Sequence, residues 1–358
     1  MKLLNYYIVN FAKTLRLTLL IACLPWIVIS GCASTHSLEE TKEHDLQAYV
    51  ANLAGAADPG TTITTVNLTT NQERTITTGT EPSAFAVAPD GSTVYVANRG
   101  SDTVSVIDAY TDKVTSTIKV GLEPDAVATS SNGAFIVVAN LDDNNINIVN
   151  TRTNQVVTTV STLQEPDAVA VTPNNHYAYV ADFGANKVTV VRINSNLTAR
   201  SVISIPVGIE PDAVAISPQG TTVYVGNFGS NSITSIPLTG SNGENLACGP
   251  LDDPCRSIPA GRDPTNIAFS LNGETAYVTG GDSLTLISVS RASPSVSIPL
   301  GETAEAVALS SNGKMAYIAD EQGYITPINL RSEKPTKPIP VGGHPVAIAV
   351  TLLGRGTG

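Results

Sequence analysis

The chain has 358 residues, 14% of them charged and only 5% aromatic, and its 31 acidic residues outnumber 20 basic ones for a net charge of −11. Val, Ala, Thr, Ser, Asn and Gly dominate the remainder, a composition that favours strands and turns over helices. An acidic body repels phosphate backbones, whose binding needs clustered Lys and Arg, so nucleic acid is not an expected partner.

Residues 1–31 read as an export signal. Lys2, Lys13 and Arg16 are basic and no acid occurs before Glu39. Residues 17–29 form an apolar run of 13, too short to span a bilayer and interrupted by Pro25. The run ends in Ile29-Ser30-Gly31-Cys32, which resembles the lipobox of bacterial lipoproteins. That resemblance implies cleavage before Cys32 and a diacylglycerol on its thiol. Buried acyl chains contribute about 0.8 kcal/mol per methylene, so two or three of them hold a protein on a membrane essentially permanently. Ala33 and Ser34 follow, without the Asp that resembles an inner-membrane retention signal. The expected location is therefore the outer membrane, on its periplasmic or surface face, or the cell surface. Residues 32–47, with His36, Glu39, Glu40, Lys42, Glu43 and Asp45 and no apolar period, are expected to be the lipidated cysteine and a flexible tether. Loss of residues 1–31 leaves 17 basic residues against 31 acidic ones.

Further along, one phrase recurs. Glu81-Pro82-Ser83-Ala84-Phe85-Ala86 is followed by Glu123-Pro124-Asp125-Ala126-Val127-Ala128, Glu165-Pro166-Asp167-Ala168-Val169-Ala170 and Glu210-Pro211-Asp212-Ala213-Val214-Ala215. Degraded copies begin at Asp263, Thr303 and His344. The positions equivalent to the proline are 42, 42, 45, 53, 40 and 41 residues apart, and a period of this length with several strands per unit signals a β-propeller. Each unit reads as four short strands. An Ala-rich strand leads through a turn such as Asp90-Gly91 or Asn132-Gly133 to a second strand such as residues 94–98. A third strand follows, as at 103–108, and a polar turn leads to a fourth, as at 114–120. Both faces of the inner strands are apolar, as expected when each blade is sandwiched between two neighbours.

The ends of the repeat region supply the topology. Residues 48–52 are a second-strand phrase with no first strand before it, and residues 61–68 and 73–77 follow as third and fourth strands. Residues 344–350 are a first strand with nothing after it. Pairing the two ends closes the ring and leaves no open repeat interface. The predicted fold is thus all-β: a seven-bladed β-propeller of four-stranded blades over residues 48–350, sealed by a composite blade of three N-terminal strands and one C-terminal strand, with residues 351–358 as a tail.

Tyr95-Val96-Ala97-Asn98, Thr103-Val104-Ser105-Val106-Ile107-Asp108 and Tyr224-Val225-Gly226-Asn227 resemble the YVTN-repeat family of β-propellers, found in surface-layer and periplasmic proteins. The resemblance spans roughly residues 48–350; Val137, Gly280 and Ala304 depart from it. It implies the fold and an extracytoplasmic setting, and no particular reaction.

The remaining cysteine pair, Cys248 and Cys255, encloses a short loop. In an oxidising compartment one disulfide is the economical reading, and it shapes that loop for about 2.5 kcal/mol rather than holding the domain. The alternative of a two-cysteine metal site lacks a nearby His or third Cys. The same insertion, residues 240–257, lies on the bottom face with a smaller one at 194–200 and is a candidate partner-binding feature.

Strand order puts the first-strand acids around the top mouth of the axis. Glu123, Asp125, Glu165, Asp167, Glu210, Asp212, Asp263, Glu305 and, where the repeat breaks, His344 are the candidate ligand-binding residues. Such a ring focuses negative potential and suits a divalent cation, calcium or magnesium, or a basic peptide. Asn52, Asn98, Asn140, Asp182, Asn227 and Asp320 end the second strands on the same face, and a residue recurring in every blade also serves strand-end hydrogen bonding. Phe183 and Phe228 are ligand or packing residues. No zinc-protease, nucleophile-elbow, phosphate-loop or haem signature occurs. The expected function is that of a monomeric, membrane-anchored, non-enzymatic binding or scaffold propeller recognising an envelope protein, peptide or polymer. The alternative is a metal-assisted hydrolase or lyase, lactonase-like, with its site at the acidic mouth.

Overall fold

A computed structural model describes residues 46–53, 60–238 and 255–352, all within one compact unit, His44–Gly358. The expected export signal, Cys32, the expected tether up to residue 45, Cys248 and the residues after Leu352 lie outside the described residues.

Seven antiparallel sheets follow one another. The innermost strands of blades 1 to 6 are Pro82–Val87, Pro124–Thr129, Pro166–Val171, Pro211–Ile216, Pro264–Phe269 and Ala304–Leu309. In blade 7, His344–Leu352 pairs antiparallel with Leu46–Leu53, which pairs with Thr62–Asn67 and then Gln72–Thr77. The composite closure expected from the two ends is therefore present. The N-terminal strand starts at Leu46, so Leu46 and Gln47 belong to the sheet rather than to the tether.

The apolar residues on both faces of each blade explain the ring. Seven hydrophobic cores lie between neighbouring blades. Tyr49 of blade 7 meets Phe85 of blade 1 at 6.5 Å, and Tyr224 of blade 4 meets Phe269 of blade 5 at 5.2 Å, both tilted. Blade 6 has a broken outer strand, Lys334–Pro335 and Ile339–Pro340, because a proline-rich segment cannot donate a full ladder. The small insertion in blade 3 has a structural use. Its tip turns at Leu197, and the Leu197 carbonyl accepts a hydrogen bond from Thr158 Oγ1 of blade 2 at 2.8 Å.

Candidate active site

Each innermost strand skips one residue in its pairing with the second strand. In blades 1 to 6 the skip falls between positions 82 and 84, 124 and 126, 166 and 168, 211 and 213, 264 and 266, and 304 and 306. In blade 7 the paired residues jump from Pro345 to Ala347. This bulge frees one residue per blade from the ladder and redirects its side chain. The seven bulged residues, Ser83, Asp125, Asp167, Asp212, Thr265, Glu305 and Val346, all line one axial cavity of about 350 Å³.

Three of them form a chain of acids. Asp125 is hydrogen-bonded to Asp167, and Asp167 to Asp212. Two carboxyl groups bond in this way only with a proton between them, and burial favours that neutral form. Burial, followed by the bond to Asp167 and its charge, pushes Asp125 up to about 8. Burial raises Asp167 well above, and Asp212 above, the usual carboxylate range. Glu305 is pushed up to about 7, first by burial and then by the adjacent Glu321, which bonds to it. The symmetry-breaking hydroxyls are occupied by backbone: Ser83 donates to the Pro124 carbonyl at 3.0 Å and Thr265 to the Glu305 carbonyl at 2.8 Å.

Arg99 brings the positive charge. Its Nε and Nη2 donate to Glu123 Oε2 at 3.1 and 3.0 Å, and its Nη1 lies 3.8 Å from Asp125 Oδ1. It belongs to a short 3-10 turn, Arg99–Ser101, packed on the innermost strand of blade 1. Arg99 and Glu321 were missed by sequence reasoning. The signal was available, because the residue just after the second strand varies from blade to blade: Arg99, Leu141, Phe183, Phe228, Gly281, Glu321.

Of the nine candidates, Asp125, Asp167, Asp212 and Glu305 come together in the cavity, and Glu123, Glu165, Glu210, Asp263 and His344 do not line it. The glutamates turn the chain into each blade. Glu123, Glu165, Glu210 and Asp263 have φ of 48°, 52°, 53° and 44°, left-handed values that a fold holds only with support. Their N–H groups donate to Asp102, Asn144, Asn186 and Asn231, and the carbonyls of the three glutamates accept from Leu141, Phe183 and Phe228. The Glu165 and Glu210 carboxyls lie over Gly184 and Gly229, where a Cβ would come within 2.8 and 2.6 Å of them. His344 stands 3.9 Å from Glu321, and its Nδ1 is buried without a partner.

The second-strand Asn and Asp residues are interior supports. Asn98 donates to Ser105 Oγ, Asn140 to Asn147 Oδ1 and Asn227 to Thr234 Oγ1, each at 3.0 Å, and Asp182 accepts from Thr189 Oγ1 at 2.6 Å. A divalent cation does not fit the described residues. Among them no group of three or more His, Cys, Asp and Glu side chains is arranged to hold one. The axial aspartates are instead paired, Asp125 with Asp167 and Asp167 with Asp212.

The family model described as "Lactonase, 7-bladed beta-propeller" matches residues 44–171 and 151–247. No curated protein matches the chain. Among solved structures it is similar to a functionally unknown protein from Desulfotomaculum acetoxidans, with 18% identity, TM-score 0.73 and coverage of 86% of this chain and 99% of that one. It is also similar to hydrazine synthase from Kuenenia stuttgartiensis, with 21% identity, TM-score 0.65 and coverage of 76% and 90%. A candidate 6-phosphogluconolactonase from Bacteroides uniformis shares 14% identity, TM-score 0.66 and coverage of 86% and 100%. At these identities the structures support the fold.

The family match corrects the expectation of a non-enzymatic binding or scaffold module and favours the lactonase-like alternative. The physical reason for the misreading is burial. The acids expected to form an open negative ring for a peptide are either chain-turning residues or a proton-sharing set inside a cavity of small-molecule size.

Proposed function

Because this chain belongs to the seven-bladed β-propeller lactonase family, we propose that it hydrolyses a lactone in the axial cavity. The observation that carries the reading is the meeting of opposite proton functions in one small space. A buried chain of neutral carboxyls can donate hydrogen bonds, and Glu305, raised to about 7, can accept a proton near neutral pH.

The chemistry balances with these groups alone. Glu305 takes a proton from water as its oxygen attacks the lactone carbonyl carbon. A protonated member of the Asp125–Asp167–Asp212 chain donates to the carbonyl oxygen as negative charge develops there, the type of stabilisation that contributes about 3–4 kcal/mol per donor. The ring C–O bond then breaks, and the leaving alkoxide recovers the proton from Glu305 to give the hydroxy acid. Arg99 fixes Asp125 and Glu123 across the blade 1 and blade 2 boundary. The full chain should open γ- and δ-lactones faster than buffer, read as one proton released per ring in weakly buffered solution. No acceleration with any lactone would overturn the proposal.

The setting belongs to the same reading. We propose that Cys32 carries lipid and anchors a monomeric propeller to the outer membrane or cell surface. Support comes from residues 29–32 and from the YVTN-like second strands, which resemble those of extracytoplasmic propellers. Labelled palmitate should enter the wild-type chain and not Cys32→Ala; equal labelling would sink this assignment. A disulfide between Cys248 and Cys255 is proposed with it, supported by the short spacing of the pair in a chain read as exported.

A further inference from the structure

We infer that the axial site takes an uncharged lactone and rejects one that bears phosphate. The inference rests on the lactonase reading for its reaction and on the charges around the cavity for its selectivity.

Glu81, Asp125, Asp167, Asp212 and Glu305 line the cavity, and among the described residues Arg99 is the one basic side chain that does so. Its charge is already in use. Two of its nitrogens donate to Glu123, and the third approaches Asp125. A phosphate dianion seated there would have to displace Glu123 and lie against buried carboxyls. Burial already holds Asp125, Asp167 and Asp212 toward their neutral forms, and a phosphate would meet the same scarcity of water and of positive charge.

The rim offers no substitute. Phosphate sites are built from several Lys or Arg side chains, or from backbone N–H groups at a helix N-terminus or in a glycine-rich loop. The positions equivalent to Arg99 in blades 2 to 6 are Leu141, Phe183, Phe228, Gly281 and Glu321, and none is basic. Arg262 lies beside the blade 5 turn, but it is largely exposed, does not line the cavity and pairs with Asp263 at 3.6 Å. Leu122, Ile209 and Phe228 are exposed in the top-face turns of blades 2 and 4. The turns over these blades thus add apolar side chains beside Glu123, Asp142, Asp143 and Glu210, and no cation, which suits an uncharged substituent better than a phosphate.

The test compares D-glucono-1,5-lactone with its 6-phosphate, using the full chain and subtracting spontaneous opening. The neutral lactone should have the higher kcat/KM, by at least roughly a hundredfold, because like charges brought together in a site are strongly disfavoured. Val346→Lys places a cation in the cavity wall and should narrow that gap at least tenfold; Ser83→Lys serves the same purpose if the first variant does not melt like the wild type. Faster opening of the 6-phosphate by wild type would overturn this inference and leave the lactonase reading standing. If neither of these two lactones is opened, the lactonase reading is decided by the wider set of γ- and δ-lactones, and calorimetric titration with 6-phosphogluconate decides the charge question. Binding tighter than about 1 mM would overturn the rejection of phosphate, and the absence of binding would uphold it.

Discussion

Asp125 and Asn98 both recur in the repeat on the top face, yet they do opposite things. Asn98 ends a second strand, is buried within its own blade and spends its amide on Thr103 and Ser105. Asp125 sits one residue into a first strand, where the bulge turns its carboxyl into the axial cavity. The difference has a consequence for stability. An aspartate in an unfolded chain ionises near about 3.9, whereas Asp125 in the fold stays neutral until about 8. Between those values the folded chain binds more protons than the unfolded one. The stabilisation from the neutral carboxyl is therefore complete below about pH 4 and is lost as pH rises toward 8. Asp125→Asn cannot ionise, so its urea midpoint should fall less between pH 5 and pH 8 than that of wild type. Equal falls in the two proteins would show that Asp125 is already charged at pH 5. At this scale the sequence was only half legible. The repeat marked Asp125, Asp167, Asp212 and Glu305, which line the cavity, but it put Glu123, Glu165, Glu210, Asp263 and His344 beside them, because adjacency in a strand does not say which side chain a bulge redirects. Arg99 and Glu321 escaped notice although Phe183 and Phe228, at the equivalent position of two other blades, were singled out.

Strands were the most legible elements. Asn-Gly and Asp-Gly turns, alternating Val, Ile and Ala, and the polar third-to-fourth turns set their boundaries to within a residue or two: 94–98 was expected and Thr93–Asn98 is found, and 114–120 was expected where Lys113–Lys119 is found. Periodicity of two along a strand is a local property, so it can be read locally. The bulge in the innermost strand was not legible. It is a mismatch between two paired strands and has no local signature beyond the proline that precedes it. The loop from Ile193 to Ala199 shows the same limit. As sequence it is three extra residues, and only the fold reveals that its tip carbonyl is bonded by Thr158 of the neighbouring blade.

Closure gives the whole molecule its axial cavity. Seven blades, sealed by pairing His344–Leu352 with Leu46–Leu53, bring bulged residues from all seven repeats to one axis. The ring was legible from the unmatched strands at the two ends of the repeat region. Its chemistry was not, since a recurrent acid reads equally well as a binding ring, and burial decides which carboxyls are protonated. The account stands or falls on Glu305 acting as a base in that cavity. The most direct measurement is the pH dependence of kcat/KM for an uncharged lactone, with wild type and Glu305→Gln compared. Wild type should rise through about pH 7 to a plateau as Glu305 ionises, and fall at higher pH once the aspartate chain, with Asp125 at about 8, loses the protons it donates. Glu305→Gln should lose that step and fall by roughly 10²–10⁴-fold at the plateau. A variant that keeps both the wild-type rate and the wild-type profile would contradict the assignment of the axial cavity as the site of hydrolysis.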